Sequence, residues 1–500
     1  MARNHSLTRR ELTFGIAGLA PKSPDSIQGS FVNESVDRGH RIRDHAKFAS
    51  PQETHRTPLV IVGGGMAGLC AAWRLVKHGF HDFVLLEMEK QTGGNARWSQ
   101  NEVSAYPWAA HYVPVPGKRA VLVRELFEEL GILKNDEWDE HYLCHSPQER
   151  LFIHGRWQDG LEPVTERTQW ERFEALTAEL RQTRCFTIPM EEGWRRCGAK
   201  ERALDRMSMD DWLAAHGLHS PELRWYANYA CRDDYGASSR STSAWAGLHY
   251  FASREPDEKG PIVQPQGNGW IVQRLEERLG RYIRNDHMVY RIVKRGTGWQ
   301  VYTERGRFDT EAVIFAAPTF LGAWLIDPAP PPFALDYSPW LTANLTLEHW
   351  PDEPDSEPAW DNVIYDSKSL GYVVATHQSL KTHNPRSVWT WYHSFAGGSA
   401  VDQRRVLLGG DWSYWKEFLL RDLERAHPDI RKCVSRIDIM RLGHAMPRPV
   451  PGSMFALYSP VHLQSLFFAN SDLSHLPLFE EAQHRGVAAA GRALHHLGRA

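Results

Sequence analysis

Five hundred residues exceed what one hydrophobic core supports, so two or more interlocked domains are expected. With 42% hydrophobic and 24% charged residues the chain reads as globular, and a formal charge of −3 offers no basic field for nucleic acid or an anionic membrane surface. No stretch approaches the roughly 20 apolar residues of a spanning helix, so no transmembrane segment is expected. The six cysteines show no CxxC spacing, which gives no sign of a zinc or thioredoxin-like site, and no metal is expected. Cys185 and Cys197 lie near enough in sequence to pair, but free thiols are the favoured reading. The 20 tryptophans read chiefly as core packing, with some available to wall a cavity for an apolar or cationic molecule.

In chain order, Thr8-Arg9-Arg10-Glu11-Leu12 followed by a mildly apolar run to Ala20 resembles a twin-arginine export signal and predicts a periplasmic protein. The alternative is a polar leader on a cytoplasmic one, because the apolar run is short and no small-residue cleavage site follows. Residues 21–56 lack helical or strand period, so 1–56 reads as leader and linker. The run 59–62 has the apolar character of a buried parallel strand, 66–78 recurs at helical spacing up to Gly79, and 83–86 gives a second strand. That is a βαβ unit within a first nucleotide segment, 57–117.

A mostly helical segment, 118–260, is expected next: an amphipathic stripe on Leu122, Leu126 and Leu130 ended by Gly131, a helix over 168–181, and a capped start at Ser208. Segment 261–325 returns to the nucleotide domain, with strands over 289–293, 300–303 and 312–316. Segment 326–460 carries antiparallel alternation over 341–347, 363–365, 372–375 and 387–392, with a helix over 414–423. A strand over 466–469 and a helix over 480–494 complete the nucleotide domain in 461–500. The fold class is therefore α/β, a discontinuous Rossmann-type domain with an interleaved α+β substrate domain.

The chemistry starts at Gly63-Gly64-Gly65-Met66-Ala67-Gly68, a GxGxxG between strand and helix. Gly63 permits the tight turn, Gly65 lets backbone approach a pyrophosphate, and Gly68 lets helix pack on strand. The N–H groups of Met66 and Ala67 at the helix start would take the phosphate charge. The second strand ends in Glu87, the acid expected about 20 residues on for a ribose hydroxyl. Gly93 and Gly94 form a second glycine pair with Arg97 nearby, and Phe467-Phe468-Ala469-Asn470-Ser471-Asp472 precedes the last helix.

With these segments in this order the sequence resembles the flavin amine oxidase superfamily, which includes amine oxidases, protoporphyrinogen oxidases and carotenoid desaturase-like enzymes. The resemblance implies noncovalent FAD, since no cysteine lies beyond Cys433 to link it near the C-terminus. It implies that Gly93 and Gly94 meet the phosphates, Val289 meets adenine through its backbone, and Asp472 holds a ribityl hydroxyl or phosphate. It also implies that the helix from about Ala482 aims its N-terminus at the isoalloxazine, where it favours the charge of reduced flavin. Asn95 stands where the family often has Arg, and Arg97 is the expected substitute.

Relatives that oxidise amines often carry a lysine beside flavin N5 on a substrate-domain strand. Matching that strand to Thr342-Ala343-Asn344-Leu345-Thr346 puts Asn344 in its place and weakens the case for an efficient oxygen-using oxidase. His111 is the candidate for orienting substrate or accepting a proton, with a satisfied buried histidine as the alternative. Trp389 shares a face with His393 by period 2 and is a candidate site residue, against core packing. The run Arg232-Asp233-Asp234-Tyr235 could bind a charged substrate end, although a solvated ion-pair cluster is the preferred reading.

The expected activity is FAD-dependent removal of hydride from a C–H bond next to an amine nitrogen of a small molecule, with oxygen, a quinone or a protein as electron acceptor. Two rivals stay open. One is a desaturase or isomerase of an apolar substrate, favoured by the stretch His444-Ala445-Met446-Pro447-Arg448-Pro449. The other is a flavoprotein with a binding or assembly role and no turnover.

Overall fold

The computed structural model describes residues 27–32, 35–163, 166–254, 260–331, 333, 335–353, 356–381, 384–455 and 462–499. The arginine pair and apolar run expected to direct export lie outside the described residues.

Leu59–Val62 forms the middle of a six-stranded sheet, parallel to Phe83–Leu86 on one side and Ala312–Phe315 on the other. Leu466–Phe468 continues the parallel order beyond Ala312–Phe315. Every residue of the three central strands is buried. Both faces of this sheet are covered, which is why its strands are unbroken apolar runs. Leu59, Ile61 and Ile314 pack under the helices Met66–Lys77, Gly269–Leu279 and Phe479–His496. Val60, Val62 and Phe315 pack on Val289, Ile292 and Val301 of a second, five-stranded sheet. The strands come from three separate stretches of chain, so the nucleotide domain is discontinuous.

The third sheet has seven strands in the order Val434–Pro447, Tyr337–Leu347, Ser387–Ser394, Tyr372–Val374, Asp361–Ile364, Glu149–Ile153, Arg156–Asp159. One face is covered by the helices Ala400–Gly409 and Trp412–Leu423 through Leu407, Trp415 and Leu419. The opposite face looks towards the cofactor domain. Two of its strands, Glu149–Ile153 and Arg156–Asp159, fall in the segment expected to be mostly helical, and the long strand Val434–Pro447 has no counterpart among the predicted elements. Arg436, Asp438 and Arg441 interrupt its apolar pattern, and pairing with Tyr337–Leu347 makes it a strand.

Two further expectations are corrected. Residues 27–32 and 35–56 are not a loose linker. Gln28 and Phe31 bridge to Arg436 and Ile439, Val36–Arg43 is a helix whose Arg38 ion-pairs with Asp286 and Glu304 at 2.7 Å each, and Thr54–Arg56 pairs with Arg307–Thr310. Polar residues held by strand edges and ion pairs leave no periodic trace. Cys185 and Cys197 are joined in a disulfide, not free. The short helix Met190–Trp194 turns the chain back and brings their Cα atoms to 4.8 Å inside the helical core of Trp212, Leu213 and Trp245. In the same region Ser208 and Asp211 form the capping box that starts Met209–Ala215.

Candidate active site

A cavity of about 430 Å³ runs from the carboxyl ends of the parallel strands into the space under the seven-stranded sheet. Gly63, Gly65, Met66 and Ala67 line its nucleotide end, together with Gly93 and Gly94. The two glycine turns are docked on each other: Gly65 bridges to Gly93, whose N–H donates to the Gly64 carbonyl at 2.8 Å. Gly68 lies behind this surface, one turn into the helix. Val289 and Ala482 also line the cavity, Ala482 from the first turn of Phe479–His496. Helix N–H groups left without intrahelical partners therefore face the chamber.

Glu87 lines the cavity and accepts from the N–H of Gly64 at 2.7 Å and of Glu89 at 2.8 Å. Burial pushes its carboxyl up, and the two N–H donors pull it back. Arg97 is turned away: its Nε donates to the Gly94 carbonyl at 3.1 Å, its guanidinium pairs with Glu89 at 3.4 Å, and it does not line the cavity.

Asp472 is 1% exposed and lines the cavity. Its Oδ2 accepts from the Thr319 N–H at 2.8 Å, the Thr319 hydroxyl at 3.0 Å and the Tyr337 hydroxyl at 2.7 Å. Its Oδ1 has no hydrogen-bond partner among the described residues, and burial pushes the carboxyl up to about 6. A buried acceptor without a donor is costly, so the atom is suited to a hydroxyl delivered by a ligand. With the docked glycine turns and Glu87, this donor and acceptor set fits FAD as the sequence motifs imply.

Replacing Glu87 with Ala should weaken FAD retention by about 1.5–3 kcal/mol, the range for hydrogen bonds to a charged group. It removes an acceptor that lines the cavity and leaves the Gly64 and Glu89 N–H groups unpaired. Titration of apoprotein with FAD reads this directly, and an unchanged affinity would remove Glu87 from the cofactor site.

At the far end His111 lines the cavity and stacks on Tyr392, ring centroids 4.6 Å apart. Its Nδ1 is 3.1 Å from the Ala109 carbonyl, which fixes the Nδ1–H tautomer of a neutral ring and leaves Nε2 as an acceptor. Burial lowers its pKa to about 4, so at neutral pH the ring is uncharged and a weak proton acceptor.

The other two candidates from the sequence do not reach the cavity. Asn344 is 3% exposed, with Nδ2 donating to the Pro107 carbonyl at 3.0 Å and Oδ1 accepting from the Thr390 hydroxyl at 2.7 Å. The same strand reaches the cavity four residues earlier, at Trp340. Trp389 is fully buried on the opposite face, stacked on Tyr372 at 4.1 Å beneath the helices. Period 2 placed it with His393, but the cavity takes the alternate residue, Tyr392. Asp233 and Asp234 also line the cavity, so that acidic pair is not the solvated cluster the sequence suggested. Among the described lining residues there is no lysine.

The family of NAD(P)-binding Rossmann-like domains matches residues 61–130. L-amino acid oxidase of Cerastes cerastes is 35% identical over 92 residues, which is 18% of this chain and 17% of that protein. All the curated relatives are matched over less than a third of their own length. Among solved structures, putrescine oxidase with putrescine bound shares 16% identity with a TM-score of 0.67, over 88% of this chain and 100% of that one. A CLA-producing fatty acid isomerase from P. acnes shares 14% identity with a TM-score of 0.62, over 87% of this chain and 98% of that one. At such identities the likeness is one of fold. This chain therefore shares its fold with putrescine oxidase and cyclohexylamine oxidase, and its residues 61–130 match an NAD(P)-binding Rossmann-like domain.

Proposed function

We propose that this protein is an FAD-dependent oxidoreductase that takes hydride from a carbon bonded to an amine nitrogen. The observation that carries the reading is the continuity of the cavity, from the glycine turns and Asp472 to a chamber walled by His111, Trp340 and Tyr392. FAD, when bound, supplies the hydride acceptor. Glu87 and Asp472 offer acceptors to its hydroxyls, and the start of Phe479–His496 favours negative charge at the chamber. The aromatic walls exclude water and hold the substrate, while neutral His111 offers Nε2 to an N–H of the amine.

The absence of lysine among the described lining residues, with Asn344 sealed behind Pro107, supports an acceptor other than oxygen, a quinone or a protein. A cation near the reacting flavin edge would stabilise the charge formed when oxygen takes its first electron. The Cys185–Cys197 disulfide supports an oxidising compartment, in line with twin-arginine export to the periplasm.

Purified protein should be yellow and release FAD on acid treatment. Mixing with amines in the absence of oxygen should bleach the flavin, and a quinone should restore the colour faster than oxygenated buffer does. Bleaching by an apolar substrate and by no amine would favour the desaturase alternative, and double-bond migration in an apolar alkene without lasting bleaching would favour the isomerase. Protein that carries FAD, is bleached by neither class and leaves apolar alkenes unchanged would support the assembly role.

A further inference from the structure

The nucleotide end of the cavity is walled in part by a stretch of chain that carries none of the glycine motifs. Glu87 and Met88 line that end from one loop, and His287, Met288 and Val289 from another. The loops are tied through their backbones: the Asp286 N–H donates to the Glu89 carbonyl at 2.9 Å, and the His287 N–H to the Glu87 carbonyl at 2.8 Å. Arg38, in the helix Val36–Arg43, grips both loops. Its Nη1 donates to the Met88 carbonyl at 3.1 Å and to Asp286 at 2.7 Å, and its Nη2 donates to Glu304 at 2.7 Å. One turn on, Ile42 lines the cavity itself and packs on the cluster that holds Val289 and Leu325.

A second observation concerns what keeps this helix in place. It is eight residues long and none of its side chains is buried, and a helix of that length is marginal on its own. Ion pairs and ring contacts hold it instead. Arg41 pairs with Glu304 at 2.9 Å, with its guanidinium 4.6 Å from the Phe48 ring, and Phe48 stacks on Tyr290 at 4.3 Å, next to Val289. Residues 35–49 therefore lie as a strap along the nucleotide end. The side chains of Arg38, Asp286 and Glu304 are 26%, 34% and 24% exposed, so their ion pairs are open to screening by salt. The Ile42 contact, being apolar, is not.

Resting on FAD as the cofactor, we propose that residues 35–49 belong to its site as a strap that closes over the adenine end once FAD is in place. Ile42 is the wall and Arg38 the pin. Ile42, Met88, Met288 and Leu321 make an apolar slot suited to a flat ring, with Glu87 beside it. Departure of FAD then requires Arg38 to let go of both loops, so the strap sets how fast FAD leaves. Removing Arg38 leaves neither acid without a cation, because Asp286 keeps Arg305 and Glu304 keeps Arg41.

The test follows loss of bound flavin from diluted holoprotein by rapid gel filtration. Arg38→Ala should release FAD about tenfold faster than the wild type at low salt, the effect of one charge-assisted hydrogen bond. Raising the salt should quicken release from the wild type, and less so from Arg38→Ala. Ile42→Ala should also release faster but keep the full salt response, a split that general loosening of the fold would not give. Hydrogen exchange over Val36–Arg43 should accelerate when FAD is removed, whereas that over Ala400–Gly409, far from the cavity lining, should not. If Arg38→Ala fails to fold, Ile42→Ala, the salt response of the wild type and the exchange measurement still decide. Equal release from the wild type and both variants, an unchanged salt response in Arg38→Ala, or exchange over Val36–Arg43 indifferent to FAD overturns the strap and leaves the cofactor standing. Protein that neither carries FAD nor takes it up overturns both.

Discussion

Gly68→Ala should yield a protein that loses FAD on dialysis and unfolds at markedly lower denaturant. A Cβ at this position would lie 1.9 Å from the Gly63 carbonyl oxygen and 3.4 Å from the Ala316 side chain. Alanine gains about 1 kcal/mol over glycine inside a helix. Overpacking that only backbone movement can relieve costs on the order of 3 kcal/mol, so the clash wins. Relief must move the Gly63 carbonyl, and with it the turn that lines the cavity beside Gly93 and Gly94. Cofactor affinity should therefore fall together with stability.

Gly486→Ala should behave in the same way from the opposite helix, since its Cβ would lie 2.1 Å from the Ala67 carbonyl oxygen, where Met66–Lys77 and Phe479–His496 cross. Gly491→Ala is the control. It lies in the same helix with nothing within 4 Å of the added Cβ, and there only the helix-propensity gain remains. FAD titration and urea unfolding of the three variants check this; a Gly68→Ala protein as stable and as yellow as the wild type would refute the account.

Removing the disulfide, as the double variant Cys185→Ser/Cys197→Ser, should destabilise the helical region by about 3 kcal/mol, the chain-entropy value for a loop of this order. The loop it closes is docked at the start of the cofactor helix. The Met190 N–H donates to Glu481, which also accepts from Ser474, and the Thr187 carbonyl meets the His249 ring at 2.8 Å. Loosening residues 185–197 should therefore also quicken loss of FAD, a long-range effect carried by Glu481. Hydrogen exchange over 185–197 and 244–252 should accelerate in the variant, and unchanged protection would show the loop to be held by packing alone. The compartment proposal is tested on the same bond. With Arg9 and Arg10 changed to Lys, the protein should stay in the cytoplasm with Cys185 and Cys197 open to thiol trapping, whereas the parent sequence should be exported with them blocked.

The nucleotide half was legible in the sequence because its determinants are local. A buried parallel strand must be apolar on both faces, a close backbone approach needs glycine, and both sit within a few residues of each other at 59–68. Asp472 and the aim of the final helix came from the resemblance to the flavin amine oxidase superfamily. The substrate side resisted because its sheet gathers strands from distant stretches, and a shift of one residue moves a side chain to the other face. Alternation alone chose Trp389 over Tyr392 and Asn344 over Trp340. The registers with Val434–Pro447 and the helices over one face decided otherwise.

The acidic pair at 233–234 reads in sequence as surface charge, since nothing local records that the helix end is covered by another part of the chain. The same holds for Cys185 and Cys197, whose approach depends on the turn between them and on the core around them. The sequence by itself determined the nucleotide-type sheet, its first helix and its two glycine turns. Tertiary structure decided which residues face the chamber, because burial and register belong to contacts between segments far apart in the chain.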